Sequence, residues 1–211
     1  MNISCPVKVI TMSAMWRACG VTRQHTVRVP HADNALIARA RVVAADALRD
    51  DAVLLQHSAR SAARAAELAR RIPHSRGSEV VAAAWLHDIG YAPQIQRTGF
   101  HPLDGALFLM AGDWPERVIR LVAHHSLASL EAPFYGVGHH LGVIEAVTGP
   151  DADILVSADL DGGSGEPAPT VDERLARMRI ADEEVDLVPV DVREARYAGL
   201  RAAHARVEAA L

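Results

Sequence analysis

Thiols are nearly missing from this sequence. Among 211 residues there are two cysteines, Cys5 and Cys19, both in the first twenty positions, so they can neither clip the body of the chain nor supply a four-cysteine metal site. A reducing, cytoplasmic setting is the expectation. Basic excess is missing too: 22 Lys+Arg stand against 26 Asp+Glu for a formal net charge of -4, and the arginines are scattered rather than massed, which argues against nucleic acid as an obligate partner. No apolar run approaches the roughly 20 residues that a bilayer span needs, so no membrane partner is expected. Pro6, Arg17 and Arg23 interrupt the N-terminal segment, which does not read as a signal peptide. Aromatic residues make up only 4%; Ala, Leu and Arg dominate instead. At roughly 150 residues per domain the length suits one domain with an appendage, large enough to bury a core without disulfides.

What the chain does have is 11 histidines, and their placement matters more than their number. Residues 1–30 show no sustained period and read as an irregular N-terminal extension, with Met12 or Met15 as alternative starts. Residues 31–211 read as one helical domain with a core over about 35–165 and C-terminal helices over 170–211, because Val and Ile fall three and four apart rather than two. The fold class is all-α. Asp33 is the expected cap of a first helix that carries Leu36, Ile37 and Ala40. A second spans 51–71 and stops at Ile72-Pro73. A third begins near Gly77 or Ser78, carries Val80, Val81, Ala84, His87 and Asp88, and breaks at Gly90. Further helices are expected over 102–110, from Trp114-Pro115 to His125, over 151–160, from a capping box at Thr170 and Glu173, and over 192–211. A Gly/Pro/Ser loop fills 161–169.

His57, His87, His101 and His125 fall on or beside the apolar stripes and first turns of these helices, and Asp88 and Asp159 lie at helix ends. Each carboxylate follows an apolar run, Ala82-Ala83-Ala84-Trp85-Leu86 in one case and Ile154-Leu155-Val156 in the other. A carboxylate placed there pays a large desolvation cost unless a cation or strong donors meet it. Imidazole and carboxylate together suit a borderline divalent metal. One histidine on an apolar face is an ordinary core residue; six such positions in series are not.

These residues resemble the HD-domain superfamily of metal-dependent phosphohydrolases. The matching stretches are Leu54-Leu55-Gln56-His57-Ser58, Trp85-Leu86-His87-Asp88-Ile89-Gly90 and Ser157-Ala158-Asp159-Leu160. Gly99-Phe100-His101-Pro102 and Ala123-His124-His125-Ser126 resemble the extra histidines of its binuclear members. The resemblance implies a helical bundle in which His57, His87, Asp88 and Asp159 hold one metal, while Asp88 bridges to a second held by His101 and either His124 or His125. Helical spacing puts His125 with Val118 and Val122, and His124 with Arg117 and Leu121, so both stay candidates. Two divalent ions are implied, drawn from iron, manganese, zinc, cobalt or nickel. The implied activity is hydrolysis of a phosphoester or phosphoanhydride in a small phosphorylated metabolite, such as a nucleotide, by metal-activated water, with His87 and Asp88 at the catalytic centre.

Arg60 and Arg64, one and two turns after His57, are candidate phosphate-binding side chains; solvated arginines on an amphipathic helix are the plain alternative. Tyr91 stands where a lysine often follows the His-Asp-Ile-Gly run in the superfamily. That leaves room for a competing reading, an oxygen-activating di-iron enzyme of the kind inositol oxygenase represents; a non-catalytic metal-binding signalling module is a third reading, against which the complete ligand set argues. Glu131 is a candidate for orienting an imidazole. His139-His140 read as a loop or helix start, and His25, His31, His74 and His204 as surface residues. Nothing in the pattern excludes a homo-oligomer.

Overall fold

Alanine-rich segments with apolar side chains three and four apart satisfy their backbone hydrogen bonds most cheaply as helices, and helices are what the chain forms. A computed structural model describes residues 30–162 and 170–211. The extension lies outside the described residues except for Pro30, as does most of the Gly/Pro/Ser loop. The elements are α1 (Pro30–Ala47), α2 (Ala52–Arg71), α3 (Gly77–Leu86), a 3-10 turn (Ile89–Tyr91), α4 (His101–Met110), α5 (Glu116–His124), a second 3-10 turn (His125–Leu130), α6 (Gly138–Gly142), α7 (Pro150–Asp161), α8 (Val171–Val185) and α9 (Val190–Ala209). No strand occurs among the described residues. None of the described helices is long and apolar enough to cross a membrane.

Several starts follow from local chemistry. Asp51 caps α2 by accepting the Leu54 amide at 2.9 Å, and Arg70 and Arg71 sit in its last turn, where the helix dipole favours positive charge. At α8 the capping box is complete: Thr170 Oγ1 accepts from the Glu173 amide at 3.2 Å, and Glu173 Oε2 accepts from the Thr170 amide at 2.8 Å. Asp33 is not the cap expected of it. The helix already begins at Pro30, whose fixed φ and missing N–H suit a first turn.

α3 is the axis of the bundle. Val80, Val81, Ala82, Ala83, Ala84 and Leu86 are all buried, which leaves no polar face, and the helix packs against α1, α2, α5 and α7. α7 is nearly as enclosed, with Ile154, Leu155, Val156 and Ala158 inside. Its start is anchored by the buried Asp151, which accepts from Arg117 Nε at 2.8 Å and from the Arg76 amide at 3.0 Å. A smaller cluster of Leu160, Leu175, Tyr197 and Leu200 ties α7 to α8 and α9.

The end of α3 expected at Gly90 is late by several residues. The helix stops at Leu86, and Asp88 leaves helical geometry at φ -102°, ψ 5°. The break lets the 89–91 turn slide beneath the start of α4, where a Cβ on Gly90 would lie 2.0 Å from the His101 carbonyl oxygen and 2.8 Å from the Gly105 nitrogen. Both neighbours are backbone, so a side chain cannot be accommodated by a rotamer change. Gly90→Ala is therefore expected to cost about 1–3 kcal/mol of stability in urea unfolding; a change below about 0.5 kcal/mol, the level of an ordinary surface substitution, would contradict this packing.

Candidate metal centre

Five segments converge on one buried point. α2 carries His57; the residues just past α3 carry His87 and Asp88; α4 opens on His101; His125 follows α5; and the last turn of α7 carries Asp159. His87 is fully buried, and His57, Asp88 and His125 are less than a tenth exposed.

The orientation of the rings is set by backbone carbonyls. His57 Nδ1 lies 2.9 Å from Gly162 O, His87 Nδ1 2.8 Å from Ala84 O, and His125 Nδ1 2.7 Å from Val122 O. A carbonyl can only accept, so each Nδ1 carries the proton and donates. In the neutral ring Nε2 is then bare. His57 Nε2 faces His87 Nε2 at 3.2 Å, and His125 Nε2 faces His101 Nε2 at 3.0 Å. Two bare nitrogens at the first of these distances repel unless a proton or cation lies beside them.

The carboxylates complete two groups. Asp88 Oδ2 is 3.3 Å from His87 Nε2 and 3.6 Å from His57 Nε2, whereas Oδ1 is 3.5 Å from His101 Nε2 and 3.6 Å from His125 Nε2. Asp159 Oδ1 joins the first group at 3.0 Å from His57 Nε2 and 3.7 Å from His87 Nε2. His57, His87 and Asp88 form one set of ligand atoms within 4.8 Å of one another, and Asp88, His101 and His125 form another. The donor set fits two divalent ions sharing Asp88: hard carboxylate, borderline imidazole, no thiol.

Electrostatics point the same way. Burial works against ionisation of Asp88 and Asp159, yet the neighbouring imidazoles hold both well below the usual carboxylate range. Burial also works against a charge on His87, but Asp88 and Asp159 raise its pKa well above the ordinary imidazole value. Burial, followed by the neighbouring His125, pushes His101 down to about 3, which keeps its ring neutral as a ligand requires.

Of the paired histidines, His125 points at the cluster. His124 is turned away: its Nε2 donates to Ile144 O at 2.7 Å, and it borders a separate cavity of about 190 Å³. Helical spacing could not separate them because α5 ends between them. His125 has ψ 157°, and Ser126 and Leu127 follow with φ 51° and 59°, a left-handed conformation that costs a non-glycine residue about 1–3 kcal/mol. The turn repays this by sending Ser126 Oγ to Asp159 Oδ2, to which it donates at 2.6 Å. α9 braces it. Arg196 Nε donates to Ser126 O at 3.1 Å, and Gly199 leaves room for Leu127, whose Cδ1 would be 2.5 Å from a Cβ at that position.

An open cleft of about 770 Å³ lies over the cluster. Neither Arg60 nor Arg64 lines it. Arg64 donates to Asp161 at 2.8 Å and to Glu67 at 2.9 Å. One turn beyond His57 the inward place goes to Ser61, fully buried and so close to Gly162 that a Cβ there would be 2.2 Å from Ser61 Oγ. The arginines that line the cleft are Arg174 and Arg196, far from the motif in sequence and flagged by no spacing. Tyr91 also lines it, its ring stacked on His101 at 3.9 Å between centroids. Glu131 accepts from Arg196 at 2.8 Å rather than orienting an imidazole. His204 is half-buried rather than a surface residue, its Nδ1 2.9 Å from Ser157 Oγ; His74 is exposed and His139-His140 open the short α6, while His25 lies outside the described residues.

A model of the HD domain matches residues 54–185. The chain belongs to the HD-domain family. HD domains bind divalent metals, and the match takes in all six converging residues. It runs to the end of α8 and leaves α9 outside. No curated protein and no solved structure matches the chain.

The divergence of the paired histidines gives a direct test by elemental analysis of metal-reconstituted protein. His125→Ala is expected to lose about half of the bound metal, since one of two ligand sets loses a member. His124→Ala should keep its full complement. Equal metal content in the two variants would overturn the assignment.

Proposed function

We propose that this HD-domain protein is a metal-dependent phosphohydrolase that cleaves a phosphoester or phosphoanhydride in a small phosphorylated metabolite. The observation that carries the reading is the bridging geometry of Asp88, which divides its two oxygens between two ligand sets at the floor of an open cleft. His57, His87, Asp88 and Asp159 would hold one divalent ion, and Asp88, His101 and His125 the other. Such a pair, when bound, lowers the pKa of water toward neutrality and offsets charge on a phosphoryl group.

The chain's own residues supply the setting for that chemistry. The Nδ1–H bonds to Gly162, Ala84 and Val122 keep three rings from rotating. Ser126, the serine that lines the cleft, has its hydroxyl committed to Asp159, so it serves positioning rather than attack. The cleft's volume lies within the range usual for small-molecule sites, and Val53, Leu54, Met178 and Ala181 give it an apolar wall on which a leaving group can rest. The scarcity of thiols and the lack of basic excess support a cytoplasmic enzyme of small molecules rather than of nucleic acid. A homo-oligomer is compatible with this reading.

A second reading, oxygen activation by two irons, is favoured by one feature: a phenol, Tyr91, rather than an ammonium group stacks on His101. Phosphate release from a panel of phosphorylated metabolites, measured beside oxygen consumption by iron-loaded protein, separates the two. Release after loading with manganese, iron, cobalt, nickel or zinc, lost on chelation and regained on reloading, is the expected result. His87→Ala and Asp88→Ala should lose bound metal and fall to the activity of the metal-free protein. Oxygen uptake without phosphate release would sink the hydrolase reading, and full metal binding with neither activity would favour the signalling module.

A further inference from the structure

The positive charges around the cleft are unequally employed. Arg196 donates to Ser126 O, to Glu131 Oε1 at 2.8 Å and to Asp182 Oδ2 at 3.1 Å. Arg174 makes no hydrogen bond through its side chain among the described residues. Its Nε is buried without a partner, and its nearest charge is Asp159 Oδ1, 4.0 Å from Nη2. Nor does Asp159 depend on it, since His57 Nε2 lies 3.0 Å from Oδ1 and Ser126 Oγ already meets Oδ2. A guanidinium carries five donors and is costly to leave unmet once water is partly excluded; this side chain is only 27% exposed. Its place on the chain is unfavourable as well. Arg174 lies in the first turns of α8, fixed there by its backbone N–H, which donates a hydrogen bond to Thr170 O at 2.9 Å, at the end of the helix where the dipole disfavours a cation.

An unemployed guanidinium on the wall of a cleft beside the His/Asp cluster has one natural complement, an oxyanion with several free oxygens. The rest of the lining limits how many such groups fit. Asp51 and Asp182 border the same cleft, Arg196 is committed to Asp182 and Glu131, and the intervening wall is apolar. Among the described lining residues Arg174 is the one cation without a side-chain hydrogen-bond partner, enough to meet a single phosphate. We infer that Arg174 is the substrate-anion residue of this cleft, gripping the free oxygens of a single terminal phosphate, and that the substrate is therefore a phosphomonoester rather than a nucleoside di- or triphosphate. The inference rests on the hydrolase reading for its substrate and on the geometry of Arg174 for its residue.

The test uses the full-length, metal-loaded protein with inorganic phosphate as the probe in calorimetry, and metal content measured for every variant. Arg174→Ala should keep its metal and bind phosphate about 10- to 100-fold more weakly, the range expected for losing one or two charge-assisted hydrogen bonds; Arg174→Lys should recover part of the loss. With a matched nucleoside mono- and triphosphate, wild type should prefer the monophosphate, and Arg174→Ala should raise KM more than it lowers kcat. Unchanged phosphate affinity overturns the inference. So does metal loss parallel to phosphate loss, which would make Arg174 a structural partner of Asp159, or a preference for the triphosphate. Arg174-dependent phosphate binding without hydrolysis would remove the hydrolase reading and leave the anion site, whereas hydrolysis indifferent to Arg174 would do the reverse.

Discussion

A carbonyl oxygen has no proton to give, and the metal centre is organised around that limitation. Each of three buried histidines hands its Nδ1 proton to a carbonyl at or near the C-terminal end of a helix: Ala84 in the last turn of α3, Val122 in that of α5, and Gly162 just after α7. Those carbonyls belong to the group that a helix leaves without internal partners. One bond thus solves two problems, capping the helix and turning a bare nitrogen inward. His87 and His125 use the same local device, a ring bonded to the carbonyl three residues back, and this is why both stand just past the end of a helix instead of within it.

Convergence of bare nitrogens and ionised carboxylates in a buried place is unfavourable by itself, so the surrounding scaffold must hold it. α3, apolar on every side, fixes the depth of His87 and Asp88. The close approach at Gly90 locks the 89–91 turn to the start of α4 and hence sets where His101 stands relative to Asp88. The left-handed Ser126–Leu127 pair aims a hydroxyl at Asp159, and α9 supplies the contacts that offset its strain.

Much of this was legible in the order of residues. The helices over 52–71, 101–110 and 150–161 lie within a residue of the 51–71, 102–110 and 151–160 expected from the residue pattern, and His57, His87-Asp88, His101 and Asp159 stand out because imidazole and carboxylate are expensive beside apolar runs. Where a helix ends was less legible, and the errors cluster there. Placing Asp33 as a cap overlooked Pro30; running α3 to Gly90 overlooked the kink at Asp88; extrapolating helical stripes through His125 left the choice between it and His124 open, because the turn after α5 is decided by contacts with α9, over sixty residues away. Arg174 and Arg196 had no local signature for the same reason. Their meaning comes from which elements meet, whereas Arg60 and Arg64 were suggested by proximity along a single helix whose inward face belongs to Ser61.

α9 begins beyond the end of the HD-domain match, yet Arg196 and Gly199 reach the turn that carries a ligand and its neighbouring hydroxyl. The last helix is in this sense a tuning element. Changes along it are expected to alter how firmly Asp159 is oriented, because Arg196 holds the turn whose Ser126 hydroxyl meets that carboxylate. The orientation of a residue in the His-Asp set is thus governed in part from outside the motif that marks it.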